Sequence, residues 1–147
     1  MRGVVPFFIF ALAAFTAPAN AEQYREFGDY TVHYSVFTTD ILSPAVAKSY
    51  RIPRSKNRAL LNISVLKKVM GTTGKPVKAR IEATAANLSA QLRHLDIREL
   101  TEPGAIYYLA ETSVSDGEIL KYTLNITPEG EANPFTFSFQ QQFVTNY

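Results

Sequence analysis

The chain has 147 residues, 15 Lys and Arg against 13 Asp and Glu, no cysteine and no tryptophan. That length suits one core, and the missing cysteine excludes disulfides, a thiol nucleophile, thiolate metal sites and a lipidated anchor. The near-balanced net charge of +2 hides a polarity, because residues 22–80 balance at +7 and residues 81–147 at −6. Either the two halves form a basic and an acidic edge, or they interleave and cancel.

In chain order, Arg2, the uncharged run Val4 to Phe15 and Ala19-Asn20-Ala21 read as an export signal cleaved after Ala21. Its apolar stretch is too short for the roughly 20 residues a membrane span needs. The expected product is a periplasmic domain over 22–147, with no stable membrane insertion after cleavage. Glu26 to Tyr30 reads as a hairpin turning at Gly28-Asp29. Tyr30, Val32, Tyr34 and Val36 then share one strand face, with Thr31, His33 and Ser35 on the other.

Ser43-Pro44 starts a short helix ending near Tyr50, because Ser caps free amides and Pro fits the first helical position. Residues 39–57 form a crossover expected to pass from one sheet to the other. Further strands are expected over 59–65, 77–84, 91–100, 105–114, 120–126 and 135–143, separated by Gly and Pro turns. Apolar residues on both faces mark 105–114 as central. Phe135, Phe137, Phe139 and Phe143 give the last strand one aromatic face. The pattern predicts an all-β fold, an Ig-like antiparallel β-sandwich of about eight strands with one helix in a crossover.

Three stretches resemble a known family. They are Phe27-Gly28-Asp29-Tyr30-Thr31-Val32-His33-Tyr34, the run Ala47 to Lys56 leading into Ala59 to Val65, and Ala105-Ile106-Tyr107-Tyr108. In this order they are similar to the small exported bacterial proteins of the DUF4426 family, a domain of unknown function. The resemblance implies an exported single-domain sandwich and carries no catalytic residues with it.

No nucleophile elbow, zinc motif, acidic calcium loop or phosphate-binding glycine pattern occurs. The two histidines, His33 and His94, fall on different strands with no ligand spacing, so no metal or other cofactor is expected. The most unusual polar segment is Lys48 to Arg58, with Lys48, Arg51, Arg54, Lys56 and Arg58 in eleven residues. Arg grips phosphate or carboxylate through paired hydrogen bonds, so Arg51, Arg54 and Lys56 are the candidate binding residues. The alternative is a solvated loop whose cations pair internally with acids such as Glu99 or Glu102. Tyr107 is the second candidate, because it and Tyr108 point to opposite faces.

Three readings of function remain open at this stage. The first is a non-catalytic binding or accessory module for a protein or an anionic envelope component, with no nucleic acid partner. The second is a hydrolytic or metal-dependent enzyme assembled from His33, His94 and scattered carboxylates. The third is an assembly factor that pairs an uncharged edge strand with another chain.

Overall fold

The structure, a computed structural model, describes residues 23–146; the expected signal and its cleavage site lie outside these residues. Two antiparallel sheets pack face to face. One contains β1 (Gln23–Phe27), β2 (Tyr30–Thr38), β3 (Arg58–Lys67), β4 (Lys75–Pro76), β7 (Arg98–Glu102) and β8 (Ala105–Ser113). Its order is β1-β2-β3-β8-β7, with β4 paired to β3. The other sheet contains β5 (Ala79–Ala86), β6 (Leu92–Leu95), β9 (Ile119–Pro128) and β10 (Phe135–Gln142), in the order β10-β9-β5-β6.

The period-two phase chooses the faces as expected. Val32, Tyr34 and Val36 of β2, Leu61, Ile63 and Val65 of β3, and Leu120, Tyr122, Leu124 and Ile126 of β9 are buried between the sheets. Phe137 is buried, and Phe135 and Phe139 pack against the same core. The Tyr34 ring lies 5.0 Å from Phe137 and 4.6 Å from Phe139. Such aromatic pairs add about 0.5–1.5 kcal/mol each beyond their area.

Among the described residues ten strands form where about eight are expected. The run 91–100 is two strands: β6 pairs with β5 in one sheet and β7 with β8 in the other. The chain changes sheets at Asp96-Ile97, and Leu95 and Ile97 both still pack on the core, so alternation alone does not reveal the bend. The two-residue β4 adds the tenth.

The helix is α1 (Pro44–Tyr50). Ser43 Oγ accepts the Val46 N–H at 3.2 Å, and Pro44 takes the first turn, as its missing N–H permits. Its crossover does not change sheets. It joins β2 to β3, which are antiparallel neighbours paired from Tyr30↔Lys67 to Thr38↔Ala59. A tight hairpin needs only two to five residues. The surplus chain instead folds over the outer face of its own sheet.

The halves of the chain interleave in the larger sheet, where β3 pairs with β8, while the smaller sheet is drawn from residues 79–142. Arg58–Glu111 at 2.8 Å and Lys78–Glu99 at 3.6 Å join the basic half to the acidic half. The sequence polarity therefore does not become two charged edges.

Candidate functional site

A second apolar cluster lies outside the main core, between the crossover and the outer face of the larger sheet. Ile52, Leu60 and Leu109 are buried in it, and Phe37, Leu42, Tyr50, Leu100 and Tyr107 pack around them. Strand pairing assembles its floor. Phe37 sits opposite Leu60, Asn62 opposite Leu109, and Leu100 opposite Tyr107. Tyr108 points the other way into the core, where its hydroxyl accepts the Ala79 N–H at 2.8 Å. The opposite facing of Tyr107 and Tyr108 is as the sequence implies.

The helix ending supplies the wall. Arg51 adopts φ 56 and ψ 47, the left-handed conformation in which glycine is free and an L side chain costs about 1–2 kcal/mol. The Ile52 N–H then bonds the Ala47 carbonyl at 2.8 Å. This Schellman-like reversal drives Ile52 down onto Leu60 and Leu109.

The cluster is not filled. A pocket of about 230 Å³ opens between Leu42, Val46, Tyr50 and Ile52 of the crossover and the strand residues beneath. An apolar cavity of about 150 Å³ already accommodates benzene, so this space takes a ring or a short acyl chain. It falls below the roughly 300–1,000 Å³ typical of drug-sized ligands.

Two polar groups line it, Glu102 and Asn62. The Tyr50 hydroxyl donates to Glu102 Oε1 at 2.7 Å. That bond, together with burial and the carboxylate's charge, raises the Tyr50 pKa above the ordinary tyrosine value. Asn62 Oδ1 is buried and has no hydrogen-bond partner among the described residues. Such an acceptor is costly unless a donor reaches it.

The expected binding residues sit on this crossover and are used differently. Arg54 donates from Nε to the Leu42 carbonyl at 2.7 Å and from its guanidinium to the Asp40 carbonyl at 2.9 Å. It thus ties down the lining residue Leu42, through carbonyls rather than through Glu99 or Glu102. Arg51 and Lys56 are exposed. Arg51 stands in the chain between the lining residues Tyr50 and Ile52. Glu99 is engaged by Lys78 and Thr101 instead.

His33 and His94 are not brought together. His33 is on the outer face of β2, its ring 5.9 Å from that of Tyr24. His94 is exposed on β6 of the other sheet, while its neighbour Leu95 packs inward. Among the described residues no group of three or more His, Cys, Asp or Glu is placed to hold a metal ion.

Sequence reasoning misses Phe37, Leu42, Val46, Tyr50, Leu60, Asn62, Leu100, Glu102 and Leu109 as one site. One signal was present. Ala59-Leu60-Leu61 and Tyr107-Tyr108-Leu109-Ala110 break strict alternation, which marks two covered faces at one end of β3 and β8.

The family described as a domain of unknown function, DUF4426, matches residues 24–146. No curated protein matches the chain. A DUF4426 family protein from Pseudomonas aeruginosa PAO1 has a similar crystal structure, with TM-score 0.73 and 35% identity, covering 86% of this chain and 97% of that one. FetP of uropathogenic E. coli strain F11, produced in the periplasm, is similar with TM-score 0.58 and 14% identity, covering 84% and 94%. A copper-bound variant of FetP gives TM-score 0.57, again at 14% identity, covering 84% and 95%. At that identity the FetP likeness extends to the fold alone.

Proposed function

The chain belongs to the DUF4426 family, and we propose that this member is a periplasmic, non-catalytic binding module. Its site is the pocket under the crossover, and its target combines an apolar group with negative charge, as an envelope component or a partner protein does. The observation that carries the reading is the open apolar pocket itself. A fold that only needed stability would gain by closing it, at about 25 cal/mol per Å² of apolar surface removed from water.

Two features add the charge. Arg51 holds a backbone conformation that glycine adopts without cost, and it keeps its guanidinium exposed beside the lining residues. Lys48 and Lys56 are exposed on the same crossover. Export is supported by the Ala19-Asn20-Ala21 signal pattern and by the periplasmic production of FetP. Copper is not carried over from FetP, since the described histidines occupy different sheets.

The test uses hexanoate, with hexanol as the uncharged control, titrated into the exported protein and followed by amide NMR shifts. We expect shifts confined to the surroundings of Leu100, Tyr107 and Leu109, tighter binding of hexanoate than of hexanol, and loss of that preference in Arg51→Gly. Melting temperature should not fall in Arg51→Gly, because glycine relieves the left-handed strain. Shifts absent from the pocket with both probes would refute the site. Equal binding of the two probes would refute the charged target.

A further inference from the structure

We infer that the β10 edge pairs with the β10 edge of a second copy of this chain. β10 ends the smaller sheet, so one of its sides has no strand partner among the described residues. It runs eight residues, Phe-Thr-Phe-Ser-Phe-Gln-Gln-Gln, without a charge or a proline. The other edges are protected in the usual way by charge. β1 carries Arg25 and Glu26, β6 carries Arg93, and β7 carries Arg98, Glu99 and Glu102.

The outward main-chain groups can be identified; one of them, the Gln142 carbonyl, accepts from Gln141 Nε2 at 2.9 Å. Just past the strand, the Phe143 N–H bonds the Glu118 carbonyl at 2.8 Å, and the Phe143 carbonyl accepts from Gly117 at 2.7 Å. Phe143 therefore faces inward toward β9. Main-chain groups alternate sides along a strand, so those of Thr136, Ser138, Gln140 and Gln142 face outward. On the inner face of this strand Phe27 stacks on Phe135 at 4.8 Å and Arg25 lies 5.5 Å from the Phe137 ring.

The occupant follows from charge and symmetry. An uncharged strand can pair with itself across a two-fold axis in any register without setting like charges opposite each other. A two-fold centred on Phe139 sets Ser138 opposite Gln140 and Thr136 opposite Gln142. That centre engages all four outward residues at once and leaves polar side chains facing each other on the solvent side.

Sedimentation velocity of the exported protein tests this, from low micromolar concentration to about 1 mM. A monomer–dimer equilibrium is expected. Ser138→Lys with Gln140→Lys sets lysines opposite lysines and should weaken it about tenfold or more. Ser138→Pro removes an outward main-chain donor and the 2.9 Å hydroxyl bond to Thr123, but no main-chain bond to β9, so it should weaken the dimer while the β9 ladder remains. Amide exchange on the unmodified chain gives a readout that needs no variant: Ser138 and Gln140 should gain protection with concentration. A monomer throughout, or a dimer insensitive to both variants, overturns the proposal. So does binding of an extended strand from another protein by a chain that never self-associates. Tyr107→Ala should leave the dimer unchanged, which separates this edge from the crossover pocket.

Discussion

Strands β2, β3 and β8 carry apolar side chains on both faces, and the two faces are filled in different ways. Toward the second sheet, Val32, Ile63, Leu124 and Ile126 have no exposed surface, and the aromatic rings of β10 fill the remaining space. Toward the crossover, Ile52, Leu60 and Leu109 form a small buried cluster, and a pocket remains beside them. The chemistry of the side chains is similar, so the difference lies in the cover. A whole sheet supplies a continuous second face. A seven-residue helix and its flanking loop supply a few side chains, held by capping bonds and by Arg54 on two carbonyls. The inner face holds the fold together, and the outer face leaves space beside its cover.

The largest expected effect lies on the inner face. Phe137→Ala should cost about 3–5 kcal/mol, because it removes buried surface and leaves an enclosed cavity. That is a large part of the roughly 5–15 kcal/mol that holds a domain together. Denaturant unfolding gives the value, and a loss below about 1 kcal/mol would mean the aromatic face does not carry the core. On the outer face, Leu109→Ala should cost less, about 1–3 kcal/mol, since the new space merges with an existing pocket and only the transfer cost remains. Equal losses at the two positions would erase the distinction between the faces.

A smaller effect sharpens the comparison through pH. The phenol of Tyr50 has a raised pKa in the folded protein, so the unfolded chain loses that proton first. Its contribution is complete below the ordinary tyrosine pKa of about 10 and is lost as pH rises through the folded value. Tyr50→Phe should therefore lower the melting temperature slightly at neutral pH, and the gap to the unmodified protein should narrow in alkali. A gap that is constant with pH would show that the hydroxyl does not hold Glu102.

Most of the inner face was legible in the sequence because alternation encodes it directly. Tyr30, Val32, Tyr34 and Val36, and the β9 residues Leu120 to Ile126, are buried in the phase their spacing gives. The capped start of α1 was legible for an equally local reason, a Ser hydroxyl and a Pro ring acting within one turn. The route of the crossover was not. Its length permits either sheet as a destination, and strand pairing decides between them. The pocket was not legible either, because its floor takes Phe37, Leu60, Leu100 and Leu109 from four strands that only the register aligns. The basic segment lies in the loop that walls the pocket, but its division of labour, in which Arg54 builds the wall and Arg51 stays exposed, was not legible.

The most direct measurement exploits the absence of tryptophan from the chain. Tyr107→Trp places a single indole in the wall of the pocket, where its emission reports on water nearby. Titration with hexanoate should shift that emission to the blue and saturate, with no fall in melting temperature. Emission that stays unchanged across the titration, in a variant that melts as the unmodified protein does, would contradict the claim that the outer face is a binding pocket.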